Sequence, residues 1–309
     1  MAVVLCIFLL KLRVFRQNSN TLIIAQFWYD MENEFLKLAI NTIGAELKSL
    51  VVKESGREIL WQADPKVWPR HAPVLFPVVG KLKNDSYFFN NTSYSLKQHG
   101  FARDLEHKKI SSGEYLLSSS KDTIEKYPFQ FSLATKYQLN EKKLQVNYSV
   151  KNLGIDVLPF SIGAHPGFRL QNTKNVKIEF EHQEIGYFLL NNGQVDFSKR
   201  FDCSRVLDLN PTSFNNDALI FKNLKSSWVK LFDGDQNNEL ILSMHFNDLP
   251  YFGIWSKVVD NKISFICLEP WWGVADTTET NQNIFDKEGI NLIAPSESMD
   301  FSYIIEVNI

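Results

Sequence analysis

The 309-residue chain has little cysteine: Cys6, Cys203 and Cys267 lie far apart in the sequence. They form no CxxC pair and no even-numbered set, so the sequence predicts neither a disulfide framework nor a metal site built from thiolates. Disulfides are typical of oxidising compartments, and their expected absence favours a reducing one. We therefore expect a cytoplasmic protein.

The chain also lacks an excess of charge of one sign. Its 33 Lys and Arg residues are balanced by 35 Asp and Glu residues. Nucleic acids and anionic membranes attract strongly basic proteins, so this balance argues against both as partners. A neutral small molecule is a better fit, and no feature of the sequence demands a protein partner.

No segment has the length and apolar character of an ordinary transmembrane helix. The apolar run at residues 2–10 ends at Lys11 and is far shorter than the roughly 20 residues that span a bilayer. Neither a basic start nor a cleavage site of a secretory signal is clear, although a weak signal or anchor stays open. We predict a dispensable N-terminal extension over residues 1–30 and one domain over residues 31–309.

Long helical patterns, linkers, repeats and low-complexity tracts are also lacking, and strand patterns dominate. Apolar residues alternate with polar ones over 131–139 and again over 144–150, with a turn between them, which predicts a β-hairpin. The 24 Phe, 10 Tyr and 7 Trp residues suit broad sheets with aromatic faces. The sequence predicts an all-β fold, a large antiparallel β-sandwich.

Three short segments carry chemistry: Gln98–Arg103, Gly163–Phe168 and Cys267–Gly273. In each, a histidine or a carboxylate stands close to glycine or proline and to aromatic residues. Glycine frees the backbone and proline fixes it, so both occur where a side chain must be aimed out of a regular strand. The three segments have the character of parts of one sugar-binding site.

Glu269 follows the buried-strand pattern of residues 263–268 and precedes Pro270, Trp271 and Trp272. Burial would raise the pKa of this carboxylate towards that of a useful base. An aromatic face such as that of Trp271 also suits the C–H face of a sugar. A core glutamate paired with an arginine is the alternative.

Two histidines are further candidates. Pro166 forces His165 into extended geometry, and a histidine with an ordinary pKa near 6.5 is suited to deliver a proton at neutral pH. Gln98, His99 and Arg103 together offer donors and acceptors for a polyhydroxy ligand. The alternative for His99 is a structural role at a strand end.

Arg70 belongs to the segment 68–77, whose three prolines predict a loop or an edge strand. Its guanidinium group can hold two neighbouring sugar hydroxyls, although a surface salt bridge is the alternative. His71 would point the other way in an extended segment, so we expect it to lie outside the site.

The chain resembles the aldose 1-epimerase (galactose mutarotase) superfamily, in its bacterial LacX-like branch, over roughly residues 33–309. The matching segments are Gln98–Arg103, Gly163–Phe168, Leu268–Asp276, Tyr127–Phe129, Asn152 and Asn216–Leu219. The resemblance implies a β-supersandwich that interconverts the α and β anomers of a free aldose. It implies no cofactor and no metal.

The resemblance also implies roles for individual residues. Glu269 would take the proton from the C1 hydroxyl, and His165 would protonate the ring oxygen as the ring opens. His99 would bind near the ring oxygen and C1, Arg70 would bind hydroxyls, and Asp217 would match a substrate-binding aspartate.

Segment 70–73 departs from the longer asparagine- and arginine-bearing loop of classical galactose mutarotases, so a preference for galactose is not implied. A related alternative is a hexose-6-phosphate 1-epimerase, because phosphate needs at least two converging basic groups. Arg70 and Arg103 could supply them, with Lys81 or Lys83 close in sequence.

Two alternatives come from other classes of protein. A carbohydrate-binding protein without catalysis is one, but the presence of both His165 and Glu269 argues against it. The other is a two-histidine, one-carboxylate iron site formed by His99, His165 and Glu269. General acid catalysis would instead need a histidine nitrogen that is free of metal.

Overall fold

A computed structural model describes residues 30–234 and 239–309, apart from the side chain of Asn172. The predicted extension therefore lies almost wholly outside the described residues, and its boundary stays a prediction. Within the described part of the chain, no helix combines the length and apolar character needed to cross a membrane.

The described residues form mainly strands, with helices of one turn only. The strands are β1 (Met31–Glu32), β2 (Leu36–Asn41), β3 (Glu46–Val52), β4 (Val74–Leu75), β5 (Ser86–Phe89), β6 (Thr92–Ser95), β7 (Lys108–Ser111), β8 (Glu114–Ser118), β9 (Phe131–Asn140), β10 (Lys143–Asn152), β11 (Leu158–Phe160), β12 (Ile162–Ala164), β13 (Gly167–Thr173), β14 (Val176–Phe180), β15 (Leu190–Asn191), β16 (Gln194–Val195), β17 (Val206–Leu209), β18 (Leu219–Lys222), β19 (Trp228–Asp233), β20 (Glu239–Phe246), β21 (Tyr251–Trp255), β22 (Val258–Val259), β23 (Lys262–Trp272), β24 (Asn291–Ile293) and β25 (Ser298–Val307). The helices are α1 (Lys121–Ile124) and the 3-10 turns Lys83–Asp85, Ala102–Asp104, Pro211–Phe214 and Ile284–Asp286.

Two large antiparallel sheets dominate the fold. The first has nine strands in the order β17-β14-β19-β20-β25-β10-β9-β8-β7, and the second has seven, with the path β18-β21-β23-β12-β4 and with β13 and β22 also paired to β23. The predicted hairpin is β9 and β10, in which Phe131 lies opposite Asn152. The predicted antiparallel β-sandwich is confirmed.

The core lies between these two sheets and is rich in aromatic side chains. Phe246 of the nine-stranded sheet packs on Phe252 of the other, with ring centroids 5.5 Å apart. Trp272 and Phe301 make a similar contact at 5.1 Å. Large, flat side chains fill the space between sheets that lie about 10 Å apart, which explains why this core contains so many aromatic residues.

Strand β23 is buried on both faces from Phe265 to Trp272. Side chains alternate between the faces of a strand, so Ile266 and Leu268 enter the core while Glu269 and Trp271 point to the opposite side of the sheet. Loops cover that side, and the space under them is the cavity described below.

A tight turn holds the segment 98–100 against the seven-stranded sheet. His99 and Gly100 both have positive φ angles, of 65° and 68°. The backbone of Phe76 runs so close that a Cβ atom on Gly100 would lie 2.2 Å from the Phe76 carbonyl oxygen. Only glycine fits here, because it has no Cβ and adopts positive φ at little cost.

We predict that Gly100→Ala destabilises the protein more than Gly56→Ala. Gly56 has a similar φ of +69°, but no atom lies within 4 Å of the place that an alanine methyl group would take, so it isolates the cost of the backbone angle alone. That angle costs about 1–2 kcal/mol, and the clash at Gly100 adds about 1–3 kcal/mol. Urea unfolding of both variants measures the difference. Equal losses would show that the Phe76 contact is unimportant.

Candidate active site

A cavity of about 300 Å³ opens on the side of the seven-stranded sheet that faces away from the core. The structure places all of the sequence-predicted site residues on its wall: Arg70, Gln98, His99, Arg103, His165, Asp217, Glu269 and Trp271. They come from several strands and loops that are distant in the chain. His71, which we expected outside the site, is not part of this wall.

Glu269 and Trp271 lie on β23 at the floor of the cavity, and both are buried. The indole ring of Trp271 lies over two glycines in the neighbouring strands. A Cβ atom on Gly163 or on Gly253 would come within 2.6 Å of that ring. These two glycines therefore let the tryptophan lie flat against the sheet, which leaves room above it.

His165 directly follows β12, and its Nε2 lies 3.1 Å from Oε2 of Glu269. The contact lacks hydrogen-bond geometry, and Oε2 has no hydrogen-bond partner among the described residues although it is buried. Trp68 stacks on the His165 ring at a centroid distance of 5.0 Å, and Trp255 meets it edge-on at 5.6 Å. Aromatic packing therefore fixes the imidazole over the carboxyl group.

Burial shifts both members of this pair towards their neutral forms. The pKa of His165 falls to about 3, mainly because of burial; a backbone hydrogen bond opposes this fall, and the positive charges of Arg103 and Arg70 add to it. Burial raises the pKa of Glu269 well above its usual range, and the Asp217 carboxylate adds to this rise. Burial thus favours the neutral imidazole of His165 and the protonated carboxyl group of Glu269 in the ligand-free cavity.

His99 is held by the backbone of a glycine. Its Nδ1 accepts a hydrogen bond of 3.1 Å from the Gly80 N–H, so the ring proton of the neutral imidazole is on Nε2. Burial lowers the pKa of His99 well below its usual value, and His165 contributes to this. His99 therefore offers an N–H donor on Nε2, which lies 3.3 Å from Nε2 of the Gln98 amide; with this tautomer the amide has to turn its oxygen towards the ring to accept a hydrogen bond from it.

Arg70 and Arg103 bring positive charge to the cavity. Arg103 donates a 2.7 Å hydrogen bond to the Gln98 carbonyl, and Arg70 donates one of 2.8 Å to the carboxylate of Asp104. Burial lowers the pKa of Arg103 to about 10, so its guanidinium group stays charged at neutral pH. The salt bridge that we considered as the alternative for Arg70 is present, but the side chain also lines the cavity.

Asp217 lies at the cavity wall with a positive φ of 69°. Desolvation raises the pKa of its carboxyl group, and hydrogen bonding to Trp255 opposes that rise. Asp217 is thus close enough to act on both Trp255 and Glu269.

Several residues of this wall were not predicted from the sequence, including Trp68 and Trp255. Lys81, which also lines the cavity, was named only for the alternative of a phosphorylated sugar. Trp68 is the first residue of the proline-rich segment 68–77, and this position was the available indication that it could belong to the site. Trp255 ends β21 next to the functional strand β23, and only the pairing of these strands reveals its place.

The fold also assembles a cluster that the spacing of the cysteines does not reveal. Among residues 30–234 and 239–309, the ligand-type side chains that come together are His165, Cys267 and Glu269, with ligand atoms within 4.8 Å of one another. His99 is not part of this group, so the iron-site alternative with two histidines does not correspond to the cluster that the structure forms.

The match to a family model assigns the antiparallel sandwich and its polar cavity to the carbohydrate epimerases. Residues 28–278 match the model of the family described as Aldose 1-epimerase, and the chain belongs to that family. It is similar to the protein LacX of Lactococcus lactis subsp. lactis, with 30% identity over 299 residues that cover 90% of this chain and 98% of LacX.

Solved structures agree with this assignment. A galactose mutarotase related enzyme from Lactobacillus acidophilus is 31% identical, with a TM-score of 0.85 over 90% of this chain and 96% of that chain. A galactose mutarotase-like protein from Lactobacillus casei ATCC 334 is 27% identical, with a TM-score of 0.80 over 90% and 99%. The resemblance to the LacX-like branch is confirmed.

We predict that His165 stays neutral between about pH 5 and pH 8 in the ligand-free protein, because its pKa is held near 3 while an ordinary histidine titrates near 6.5. Nitrogen-15 NMR of histidine-labelled protein reports the protonation of each imidazole nitrogen directly. The His165→Asn variant identifies the resonance. An imidazolium signal from His165 at pH 6 would contradict the argument from burial.

Proposed function

We propose that the protein is an aldose 1-epimerase that interconverts the α and β anomers of a free aldose by general acid and base catalysis. The observation that carries the proposal is the contact of 3.1 Å between His165 and Glu269 on the floor of a polar, aromatic cavity. Anomerisation needs one group that takes a proton and another that gives one, and each contributes about 10²–10⁴-fold. The reaction needs no cofactor or metal.

Ring opening is the first step of the proposed mechanism. The C1 hydroxyl donates a hydrogen bond to Glu269 and the ring oxygen accepts one from His165, so the bound sugar favours the ionised carboxylate and the protonated imidazole. Glu269 then takes the hydroxyl proton, the bond between C1 and the ring oxygen breaks, and His165 protonates that oxygen. The pair again holds one proton, now on Glu269.

Ring closure reverses these transfers after rotation about the C1–C2 bond. His165 takes the proton from the C5 hydroxyl as its oxygen attacks C1, and Glu269 protonates the carbonyl oxygen. Attack on the other face of C1 gives the other anomer. The protonation state that follows ring opening is the one that burial favours in the empty cavity.

The remaining polar groups would hold and orient the sugar. His99 would donate its fixed Nε2 proton near the ring oxygen, since its other nitrogen is occupied by the Gly80 N–H. Arg70, Arg103 and Gln98 would bind hydroxyls, and Asp217 would accept a hydrogen bond from one. The face of Trp271 would pack against the C–H groups of the ring.

We predict that Glu269→Gln lowers kcat by about 10²-fold or more while sugar still binds, because glutamine keeps the shape of the side chain and cannot accept the proton. His165→Asn should behave alike, and the double variant should be little slower than either single one, since both groups act in one ring opening. Polarimetry above the water and buffer background measures the rates. A Glu269→Gln enzyme with nearly the parent rate would rule out this mechanism.

The activity should not follow the titration of an ordinary histidine. The pair gains a second proton only as the pH falls towards the lowered pKa of His165, about 3, and the raised pKa of Glu269 moves the loss of its proton to higher pH. We therefore expect kcat/KM to be flat from about pH 5 through pH 6.5, without the inflection that an ordinary histidine gives. Initial rates corrected for the buffer at each pH test this, and a bell-shaped curve centred in that range would refute it.

We predict that Arg70→Ala raises KM, because Arg70 lines the cavity, whereas His71→Ala costs little activity. The two residues are adjacent in the chain, so His71→Ala is a matched control for disturbance of the loop. Anomerisation kinetics at several sugar concentrations separate KM from kcat. Equal effects of the two substitutions would argue against a binding role for Arg70.

The second candidate is a hexose-6-phosphate 1-epimerase, which one observation favours: Arg70, Arg103 and Lys81 all line the cavity. Converging cations are what a phosphate group requires. Comparison of glucose, galactose and glucose 6-phosphate in the polarimeter decides between the two, with selective loss of the phosphorylated substrate in Arg70→Ala as the signature of this candidate.

A further inference from the structure

A thiol that the proposed reaction does not use lies close to Glu269, although it is not part of the cavity wall. Cys267 lies two residues before Glu269 on β23, so the alternation of the strand puts both side chains on the same face. Cys267 is fully buried, and its sulfur lies within 4.8 Å of ligand atoms of both His165 and Glu269. One thiol, one imidazole and one carboxyl group therefore lie close together.

The other two members of this cluster leave polar atoms free. Oε2 of Glu269 and Nδ1 of His165 are buried and have no hydrogen-bond partner among the described residues. Both residues line the cavity, so an ion can reach them from its open side. An unpartnered buried carboxylate oxygen is costly, and a cation bound to Oε2 of Glu269 and to Nε2 of His165, 3.1 Å away, would remove that cost.

We propose that His165, Cys267 and Glu269 form a binding site for Zn²⁺ or a similar thiophilic divalent cation, which inhibits the enzyme. The binding site itself does not depend on the proposed function, whereas the inhibition rests on it. The ion would occupy the imidazole and the carboxylate that the proposed reaction uses, so metal and sugar would exclude each other.

The geometry suits such an ion after a small adjustment. Tetrahedral zinc sites place nitrogen, oxygen and sulfur ligands at about 2.0–2.3 Å from the metal, which puts the ligands roughly 3.3–3.6 Å apart. The His165 and Glu269 atoms are already 3.1 Å apart. The cysteine side chain would have to shift by about 1 Å, and the fourth position would face the cavity and hold water.

The charges also balance. Binding releases the thiol proton and the single proton of the His165–Glu269 pair, and the divalent ion then lies among one thiolate, one carboxylate and one neutral imidazole. The complex has no net charge, which suits a buried position. A thiolate and an imidazole together favour zinc or cadmium over magnesium or calcium.

The test is metal binding by protein that has been stripped with a chelator and kept reduced with a phosphine. Cd²⁺ serves as the spectroscopic probe, because a cadmium–thiolate bond gives an ultraviolet charge-transfer band. We expect one Cd²⁺ per chain with this band, and its loss in Cys267→Ser together with at least about tenfold weaker Zn²⁺ binding. Cys203→Ser, a cysteine variant outside the cluster, is the matched control and should bind like the parent.

Inhibition supplies the second measurement. Zn²⁺ should slow anomerisation by the parent and by Cys203→Ser, excess sugar should relieve the inhibition, and Cys267→Ser should keep its basal rate and resist Zn²⁺. Cys267→Ala is the replacement if the serine variant does not fold. Parent-like Zn²⁺ affinity and charge-transfer band in both Cys267 variants would overturn the proposal. If no sugar is turned over, the binding measurements still decide it, so its failure is distinguishable from failure of the proposed function.

Discussion

Strand β23 has to bury both of its faces, and the rest of the structure is arranged around that requirement. One face contributes to the aromatic core between the two sheets. The other would be exposed on the outside of the sandwich without the loops that cover it, and these loops enclose the cavity. A carboxyl group on that second face is removed from bulk water, so its chemistry is set by the few groups around it.

Burial of the His165–Glu269 contact favours the uncharged forms of both side chains. Two buried charges would carry a large desolvation cost, whereas a neutral imidazole beside a protonated carboxyl group avoids most of it. In the proposed mechanism the sugar supplies the hydrogen bonds that make the charged form favourable. The reactive state is then formed only when a substrate is present, and the empty cavity stays in its uncharged state.

Much of this arrangement could be predicted from the sequence. The alternation in β9 and β10 predicted their hairpin, and glycine and proline beside His99, His165 and Glu269 marked the places where the chain leaves regular geometry. Such local signals depend on the conformation of a few residues, so they are readable without the fold. The family resemblance added Asp217, which has no comparable local signal.

Residues that depend on packing between distant segments were not predictable. Trp68 and Trp255 are two of seven tryptophans, and only the fold shows that they enclose His165. Cys267 lies two residues before Glu269, so the alternation of a strand already predicts that the two share a face. That His165 joins them depends on the pairing of β12 with β23, which no local pattern shows.

The position of Trp271 makes three residues interdependent. Its ring rests on Gly163 and Gly253 in the strands on either side, so a side chain at either glycine competes for the same space. A smaller residue at position 271 would leave room for side chains at positions 163 and 253. A larger residue at either of those positions would first need the smaller residue at position 271. Any remodelling of the cavity floor for a bulkier substrate must therefore replace Trp271 before the glycines at positions 163 and 253 can be replaced.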